Sequence, residues 1–478
     1  MTRYRSDLAR AVRTGLGVLF LPAGFSGASA SELAFRSGII DASPPSDSVC
    51  CLDVCAIGDI DGDGISDVLV ASQSSVGAVW YHASDWIRYA VGAGSFSTDG
   101  EVADIDGDGD SDVVLSCVSR DRIEWWENLG DPTQANGWAC YPIGDDFAHD
   151  VCIGDIDGDG NLDVVVFRKD LEVLWFQAPP DPHGSWTRRS ISELYGEGLD
   201  LADIDGDGDL DVAASQWWCE NENGQGTSWA LWMVAPDWES SCRDVVADVN
   251  GDGMKDIVLS HSEGSGQVAW FENPSWSGHV IEPDTLVGAH SLEVVDFDHD
   301  GDPDVFTGEM HTSPKKRVLA YRNNGGGLSW SRTTLAMTGT HNARVGDVTG
   351  DGRIDIVGKN YDGVKEVDLW ENRSLLVGIE SPAPPQYDLD AVRMYPNPFS
   401  AHANIEFDLL AAGRVRISVY DPAGRFVRLL ADETFPTGPH SVLWDGTDVL
   451  GQPVPSGVYL VRASATATVR TRKLVLVR

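Results

Sequence analysis

A chain of 478 residues with a formal charge of −41 is long enough for two or three domains with buried cores. Its acidity excludes nucleic acid and anionic membranes as partners, since both would be repelled over a broad surface. With 51 Gly and 17 Trp against 6 Met, the composition suits the turns and aromatic strands of an all-β protein.

At the amino end, Arg3, Arg5, Arg10 and Arg13 precede an apolar run from Leu16 to Leu21, and Ala28-Ser29-Ala30 offers small residues for cleavage. Residues 1–30 therefore read as an export signal removed after Ala30. No later segment reaches about 18 uninterrupted apolar residues, so the mature chain is expected to lack a transmembrane segment and to work outside the cytoplasm. The 8 cysteines are an even number, and export permits disulfides. Their pairing is open, and burial as thiols explains Cys117, Cys152 and Cys242 equally well.

An acidic nonapeptide, first seen as Asp59-Ile60-Asp61-Gly62-Asp63-Gly64-Ile65-Ser66-Asp67, recurs with starts at Asp104, Asp155, Asp203, Asp248, Asp296 and Asp347. Spacings of 45 to 51 residues belong to propeller blades or arrays. Each unit repeats one grammar. A short apolar strand leads into the loop, a β-rich strand such as Val113-Val114-Leu115 leaves it, and an aromatic strand such as Trp125-Trp126-Glu127-Asn128 follows. A fourth segment, such as Trp186 to Ile191, completes the unit, and four strands make one blade. The seventh unit stops after its third strand, Val367 to Asn372, whereas Leu33 to Ile40 reads as an unattached fourth strand. The expectation is a seven-bladed β-propeller over residues 31–373, with segment 33–40 completing the last blade and removing two open sheet edges.

Residues 374–393 form a Pro-rich linker. Residues 394–478 hold no acidic nonapeptide; short alternating strands separated by Gly and Pro turns suggest an Ig-like β-sandwich. The predicted strands are 403–409, 415–420, 441–444, 457–462 and 472–477.

In the nonapeptides, carboxylates alternate with turn residues, the arrangement by which a loop surrounds a calcium-sized cation with oxygens. Positions 1, 3, 5 and 9 carry oxygen side chains, and position 7 offers a carbonyl. The seven sets are Asp59, Asp61, Asp63, Ile65 and Asp67; Asp104, Asp106, Asp108, Asp110 and Asp112; Asp155, Asp157, Asp159, Asn161 and Asp163; Asp203, Asp205, Asp207, Asp209 and Asp211; Asp248, Asn250, Asp252, Met254 and Asp256; Asp296, Asp298, Asp300, Asp302 and Asp304; and Asp347, Thr349, Asp351, Arg353 and Asp355. Asn250 and Thr349 lower the ligand charge of the fifth and seventh loops, which are expected to bind more weakly. Position 12 is not Glu and the flanks are β-rich, which argues against an EF-hand. These loops resemble the calcium loops of FG-GAP/VCBS repeats, the propeller family that includes integrin α-subunit heads. The resemblance implies up to seven structural Ca2+ ions, each tying the first and second strands of a blade.

The opposite face is the candidate for function. Entering the first strands are His149-Asp150, His290-Ser291 and His341-Asn342-Ala343-Arg344; leaving the second are Arg168-Lys169, Gln216-Trp217-Trp218, His261, Glu309-Met310-His311 and Lys359-Asn360. His149, Asp150, Arg168, Trp217, His261, Asn342 and Arg344 are ligand-binding candidates. His290, Glu309, His341 and Lys359 are catalytic candidates, and they resemble the polar face of repeat-built sugar dehydratases and polysaccharide lyases. The recurring Trp-Glu-Asn strands suit packing between blades better than a sugar-stacking ladder.

In the last domain, Met394-Tyr395-Pro396-Asn397-Pro398-Phe399, Tyr420-Asp421-Pro422-Ala423-Gly424-Arg425, Trp444-Asp445-Gly446-Thr447-Asp448 and Pro455-Ser456-Gly457-Val458-Tyr459 resemble the sorting domain of type IX secretion substrates. That domain is similar to the Ig-like domain of flagellar hook capping proteins. The resemblance implies contact with outer-membrane secretion machinery and a secreted or bacterial cell-surface location. A plain Ig-like adhesion module fits the sandwich as well. The expected role is binding or adhesion to a glycan or protein; the alternative is a lyase or dehydratase working on the polar face.

Overall fold

The computed structural model describes residues 32–478 apart from 43, 45–51, 74–76, 170, 361–365, 375–392, 410–412, 421, 423–425, 437, 450–451 and 466–467. The expected export signal, nearly all of the linker, and the side chains of Cys50, Cys51 and Cys55 lie outside the described residues. Cys117, Cys140, Cys152, Cys219 and Cys242 are free thiols. Among the described residues the single helical element is a 3-10 turn, Val118–Arg120.

The repeats form seven four-stranded antiparallel sheets. The third shows why. Its middle strands, Asp163–Arg168 and Glu172–Gln177, carry the apolar runs Val164 to Phe167 and Val173 to Phe176, all buried, as strands covered on both faces must be. Its last strand, Thr187–Ser192, is largely exposed and polar, which suits an outer position. The first strands are Leu52–Gly58, Phe96–Ala103, Asp150–Gly154, Asp200–Ala202, Cys242–Ala247, Ala289–Val295 and Asn342–Gly346; each touches the next, and the last touches the first. The sheets therefore stand in a closed ring with these strands innermost. Every adjoining pair shares an apolar core, including the closing pair, where Val54 and Val70 meet Val357 and Leu369.

The seventh sheet takes its outer strand from the amino end. Phe35–Asp41 pairs antiparallel with Val367–Asn372, from Phe35 opposite Asn372 onward. Within the ring, Trp80, Trp125, Trp175, Trp270 and Trp370 are fully buried, so the aromatic strands pack the cores. A Cβ on Gly92 would lie 2.0 Å from the Trp126 ring of the next sheet, which is why this contact needs glycine. Asparagines at the ends of these strands lock neighbouring sheets. Asn128 Nδ2 donates to the Ile60 carbonyl at 3.1 Å, and Asn221, Asn273, Asn323 and Asn372 donate likewise to Ile156, Ile204, Val249 and Phe297. Each bond reaches into the acidic loop of the preceding sheet.

The carboxyl-terminal domain pairs a three-stranded sheet with a four-stranded one. Ile405 and Phe407 of the first pack with Ile417, Val461 and Leu474 of the second around Trp444, giving a β-sandwich. Strand Phe426–Phe435 lies at the border of the larger sheet. Sequence alternation missed it because Phe426 and Leu429 are exposed.

Candidate functional site

Each acidic loop winds around its first aspartate. Asp59 accepts the backbone N–H groups of Asp63 and Gly64 at 2.9 and 2.8 Å, and Asp155 accepts those of Asp159 and Gly160 at 3.0 and 2.9 Å. Gly62 and Gly64, at φ of 73° and 87°, occupy the left-handed region that the turn requires. The ninth aspartate is a tie between strands. Asp163 takes the Ile156 N–H at 3.1 Å on one oxygen and the Ala178 N–H at 2.7 Å on the other. Asp67, Asp112, Asp211, Asp256, Asp304 and Asp355 do the same in their own sheets. Burial pushes the carboxyls of Asp67, Asp112 and Asp163 up to about 7 and that of Asp304 to about 8.

The donor set fits a hard cation. Oxygens of Asp59, Asp61 and Asp67 lie within 4.8 Å of one another, as do those of Asp104, Asp106 and Asp108, which matches oxygens about 2.3 to 2.6 Å from a shared Ca2+. Asp157 Oδ1 is buried without a hydrogen bond, an oxygen a cation would satisfy. The sixth loop departs from the others. Arg322 lies against it, with Nε on Asp298 at 2.6 Å and Nη2 on Asp300. At its fourth position, where the other loops have glycine, His299 sits at φ 57°. A guanidinium already neutralises two carboxylates there, so the sixth loop offers a cation less free negative charge than the first four.

On the opposite face, part of the expected constellation converges. The ring of His290 stacks on that of His341 at 3.9 Å, and His149 lies 6.1 Å from His290. His290 Nδ1 donates to the His341 carbonyl at 2.9 Å. His341 Nδ1 meets Asp53 at 3.1 Å, and His149 Nδ1 meets Asp150 at 3.1 Å. Asp150 also pairs with Arg243 and accepts the Gly198 N–H at 3.1 Å. Burial lowers the His290 imidazole well below its ordinary value, with His341, Arg243 and His149 adding to the effect. Burial would lower His149 too, but Asp150 and Glu197 raise it overall.

Other candidates are committed elsewhere. Glu309 is 1% exposed. Its oxygens accept the Arg317 guanidinium at 2.8 and 3.1 Å and the backbone N–H groups of Val287 and Arg317. It is an internal clasp rather than an available proton acceptor. Lys359 is buried, with Nζ on the Asn360 carbonyl at 3.2 Å, and Asn342 Nδ2 reaches the Val54 carbonyl. Arg168 pairs with Asp146 and Glu172, His261 stacks on Trp238 at 4.3 Å, and half-buried Trp217 packs on the apolar core between the third and fourth sheets.

Sequence reasoning passed over Glu197, Arg243 and Asp53, yet a register signal existed. Six residues before the first aspartates of the seven loops stand Asp53, Thr98, His149, Glu197, Cys242, His290 and His341. Asp53, His149, Glu197, His290 and His341 of that column lie at the inner mouth, whereas Cys242 is buried in the apolar core between the fourth and fifth sheets and its neighbour Arg243 pairs with Asp150. Three residues before the same aspartates stand Glu101, Cys152, Asp200, Glu293 and Arg344, with the apolar Ala56 and Val245 in the first and fifth repeats. Arg344 pairs with Asp99 and Glu293. Burial, with Asp99, Asp200 and Glu293 nearby, lifts the Glu101 carboxyl to about 8, and burial lifts Glu293 to about 7 and Asp200 to about 6. Unfolded carboxyls ionise near pH 4, so the fold holds these protons longer than the open chain does. Their contribution to stability is fully present below about pH 4 and is lost as pH rises through 6 to 8. Glu101→Gln is expected to flatten the decline in melting temperature between pH 5 and pH 8; an unchanged slope would contradict this.

A closed ring of four-stranded sheets with seven acidic loops, followed by a sandwich, defines an all-β repeat protein. The FG-GAP-like repeat family matches residues 59–115, 104–166 and 248–307, and the FlgD Ig-like domain matches residues 399–468. The chain thus contains three matched FG-GAP-like repeats and a FlgD Ig-like domain behind them. No curated protein matches it. Among solved structures, it is similar to PorZ, an essential bacterial surface component of the type IX secretion system of Porphyromonas gingivalis, at 12% identity over 89% of this chain and 75% of that one, with a TM-score of 0.26. It is also similar to BBS1N solved in complex with ARL6DN, at 10% identity over 72% and 98% with a TM-score of 0.43. A third is Sqt1 of Saccharomyces cerevisiae, at 11% identity over 69% and 97% with a TM-score of 0.39.

Proposed function

We propose that the protein is a secreted or cell-surface, calcium-stabilised seven-bladed propeller that binds a glycan or protein ligand through the face opposite its acidic loops. The observation that carries this reading is the convergence of His149, His290 and His341 with Glu197 and Arg243 near the inner strand starts and with Lys169 just beyond a second strand, while Glu309 and Lys359 are spent internally. Donors and acceptors gathered at one mouth suit recognition of a polar ligand. Calcium would be held by the seven nonapeptides and would brace the strands that present this mouth. The amino-terminal segment and the motifs of the last domain support export, with residues 394–478 addressing the chain to outer-membrane secretion machinery.

A glycan array and a pull-down with the full chain test the ligand. Binding that is lost in Lys169→Ala and His149→Ala, with folding intact, is the expected result; equal binding by both variants would move the site elsewhere. Removing residues 394–478 is expected to leave the protein inside the outer membrane, read by protease accessibility on whole cells.

A catalytic reading, as a polysaccharide lyase or sugar dehydratase, is favoured by the His341–Asp53 pair at 3.1 Å, since a carboxylate behind an imidazole orients a general base. Turnover abolished by His341→Ala would establish it, whereas binding without turnover supports the first reading.

A further inference from the structure

Two imidazoles and one carboxylate at the inner mouth have the makings of a metal centre unlike the oxygen-rich loops. Ligand atoms of His149, Glu197 and His290 lie within 4.8 Å of one another. His149 Nε2 is 3.6 Å from Glu197 Oε2, and His290 Nε2 is 3.8 Å from Glu197 Oε1. Ligands on a tetrahedral ion with bonds of about 2.0 to 2.1 Å stand roughly 3.3 Å apart, so only small movements separate this cluster from a closed coordination set.

The surroundings fix each ligand's orientation. Metal-binding histidines place the ring N–H that does not face the metal on a carboxylate or a backbone carbonyl. His149 Nδ1 is on Asp150, and His290 Nδ1 is on the His341 carbonyl. That leaves both Nε2 atoms turned toward Glu197 with their lone pairs. His290 is 1% exposed, and its Nε2 makes no hydrogen bond. An imidazole nitrogen buried without a partner carries a desolvation cost, and bonding to a metal would remove it. Glu197 is buried and held by the Ser262 hydroxyl and by Lys169 Nζ at 2.5 Å. The charges nearby are close to balanced, with Asp150 and Glu263 offsetting Arg243 and Lys169, so a divalent ion meets no net positive wall. His149 remains partly open to solvent, which supplies an entry path.

We propose that His149, Glu197 and His290 bind one divalent transition-metal ion, of the kind for which imidazole and carboxylate are preferred ligands, such as Zn2+. Calcium is the wrong occupant, since it takes six to eight oxygens. The site is independent of the acidic loops and does not depend on the ligand-binding reading.

The test uses the full chain, stripped with a chelator, returned to saturating Ca2+ and titrated with Zn2+ by calorimetry. One site with micromolar or tighter affinity is expected, and Co2+ in its place should give visible ligand-field absorption. His290→Ala and Glu197→Gln should each weaken Zn2+ binding by 100-fold or more. Asp150→Asn, which touches only His149 among the ligands, should weaken it by about 10- to 100-fold. If His290→Ala does not fold by circular dichroism, the partly exposed His149→Gln is read in its place with the same expected loss. No Zn2+ binding under these conditions, or binding unchanged in the ligand variants, overturns the proposal. A parent protein that binds Zn2+ but no glycan or protein ligand would count against the ligand-binding reading alone.

Discussion

Removing calcium should lower the melting temperature of this protein by about 10 to 20 °C. A ligand bound only to the folded chain at 100 times its dissociation constant adds about 2.7 kcal/mol. The first four loops keep an acidic side chain at all of positions 1, 3, 5 and 9 and together reach about 10 kcal/mol on that scale. At about 2 °C per kcal/mol for a large domain, the shift is easily measured by scanning calorimetry with and without chelator. An unchanged melting temperature would remove calcium from the account. Titration of the stripped protein is expected to resolve the loops into two groups, with the first four tighter than the last three. The sixth is the sharpest case, because Arg322 lies across Asp298 and Asp300. Arg322→Gln should move that loop into the tight group, and identical isotherms for the two proteins would refute the role given to the guanidinium.

Asp163→Ala should cost about 3 to 5 kcal/mol even when calcium is absent. The carboxylate accepts two backbone N–H groups, from Ile156 and Ala178, and each buried donor left without an acceptor costs about 1 to 3 kcal/mol. Asp157, two positions beyond the loop's first aspartate, accepts the Gln177 side-chain amide on one oxygen and leaves the other buried without a hydrogen bond, so it ties no backbone donor and has one oxygen left for the cation. Urea unfolding separates the two. In chelator, Asp163→Ala should remain strongly destabilised and Asp157→Ala should lose only the Gln177 bond, about 1 kcal/mol; in calcium, both should fall well below the parent. Equal behaviour in chelator would mean that the ninth position acts only through the metal.

Much of this architecture was legible because its signals are local. The nonapeptides fix the loops, and the apolar runs around Val164 and Val173 fix strands covered on both faces. The unattached segment near Phe35 pointed to its partner because the seventh repeat lacked a strand. The mouth was less legible because its chemistry is assembled across sheets. Glu197 lies in Tyr195-Gly196-Glu197-Gly198, which carries no motif, and its role emerges only when the column six residues before each loop is lined up. Glu309 looked available because its partner Arg317 arrives from the next strand of the hairpin. Arg322 was readable in principle. It occupies the place where Glu127, Glu220, Glu272 and Glu371 stand before the conserved-in-register asparagines of other repeats, and the change of sign there marks the sixth loop.

The pairing of Phe35–Asp41 with Val367–Asn372 also dictates an order of events. Six sheets are built from consecutive strands and can assemble as their own segments collapse. The seventh needs residues more than 300 positions apart, and contacts of such high sequence separation form slowly. The entropy of closing so long a loop grows only logarithmically with its length, so delay rather than instability is the cost. Folding should therefore show a late phase in which the ends meet, and amides of Phe35–Asp41 should be the last in the ring to gain protection from hydrogen exchange.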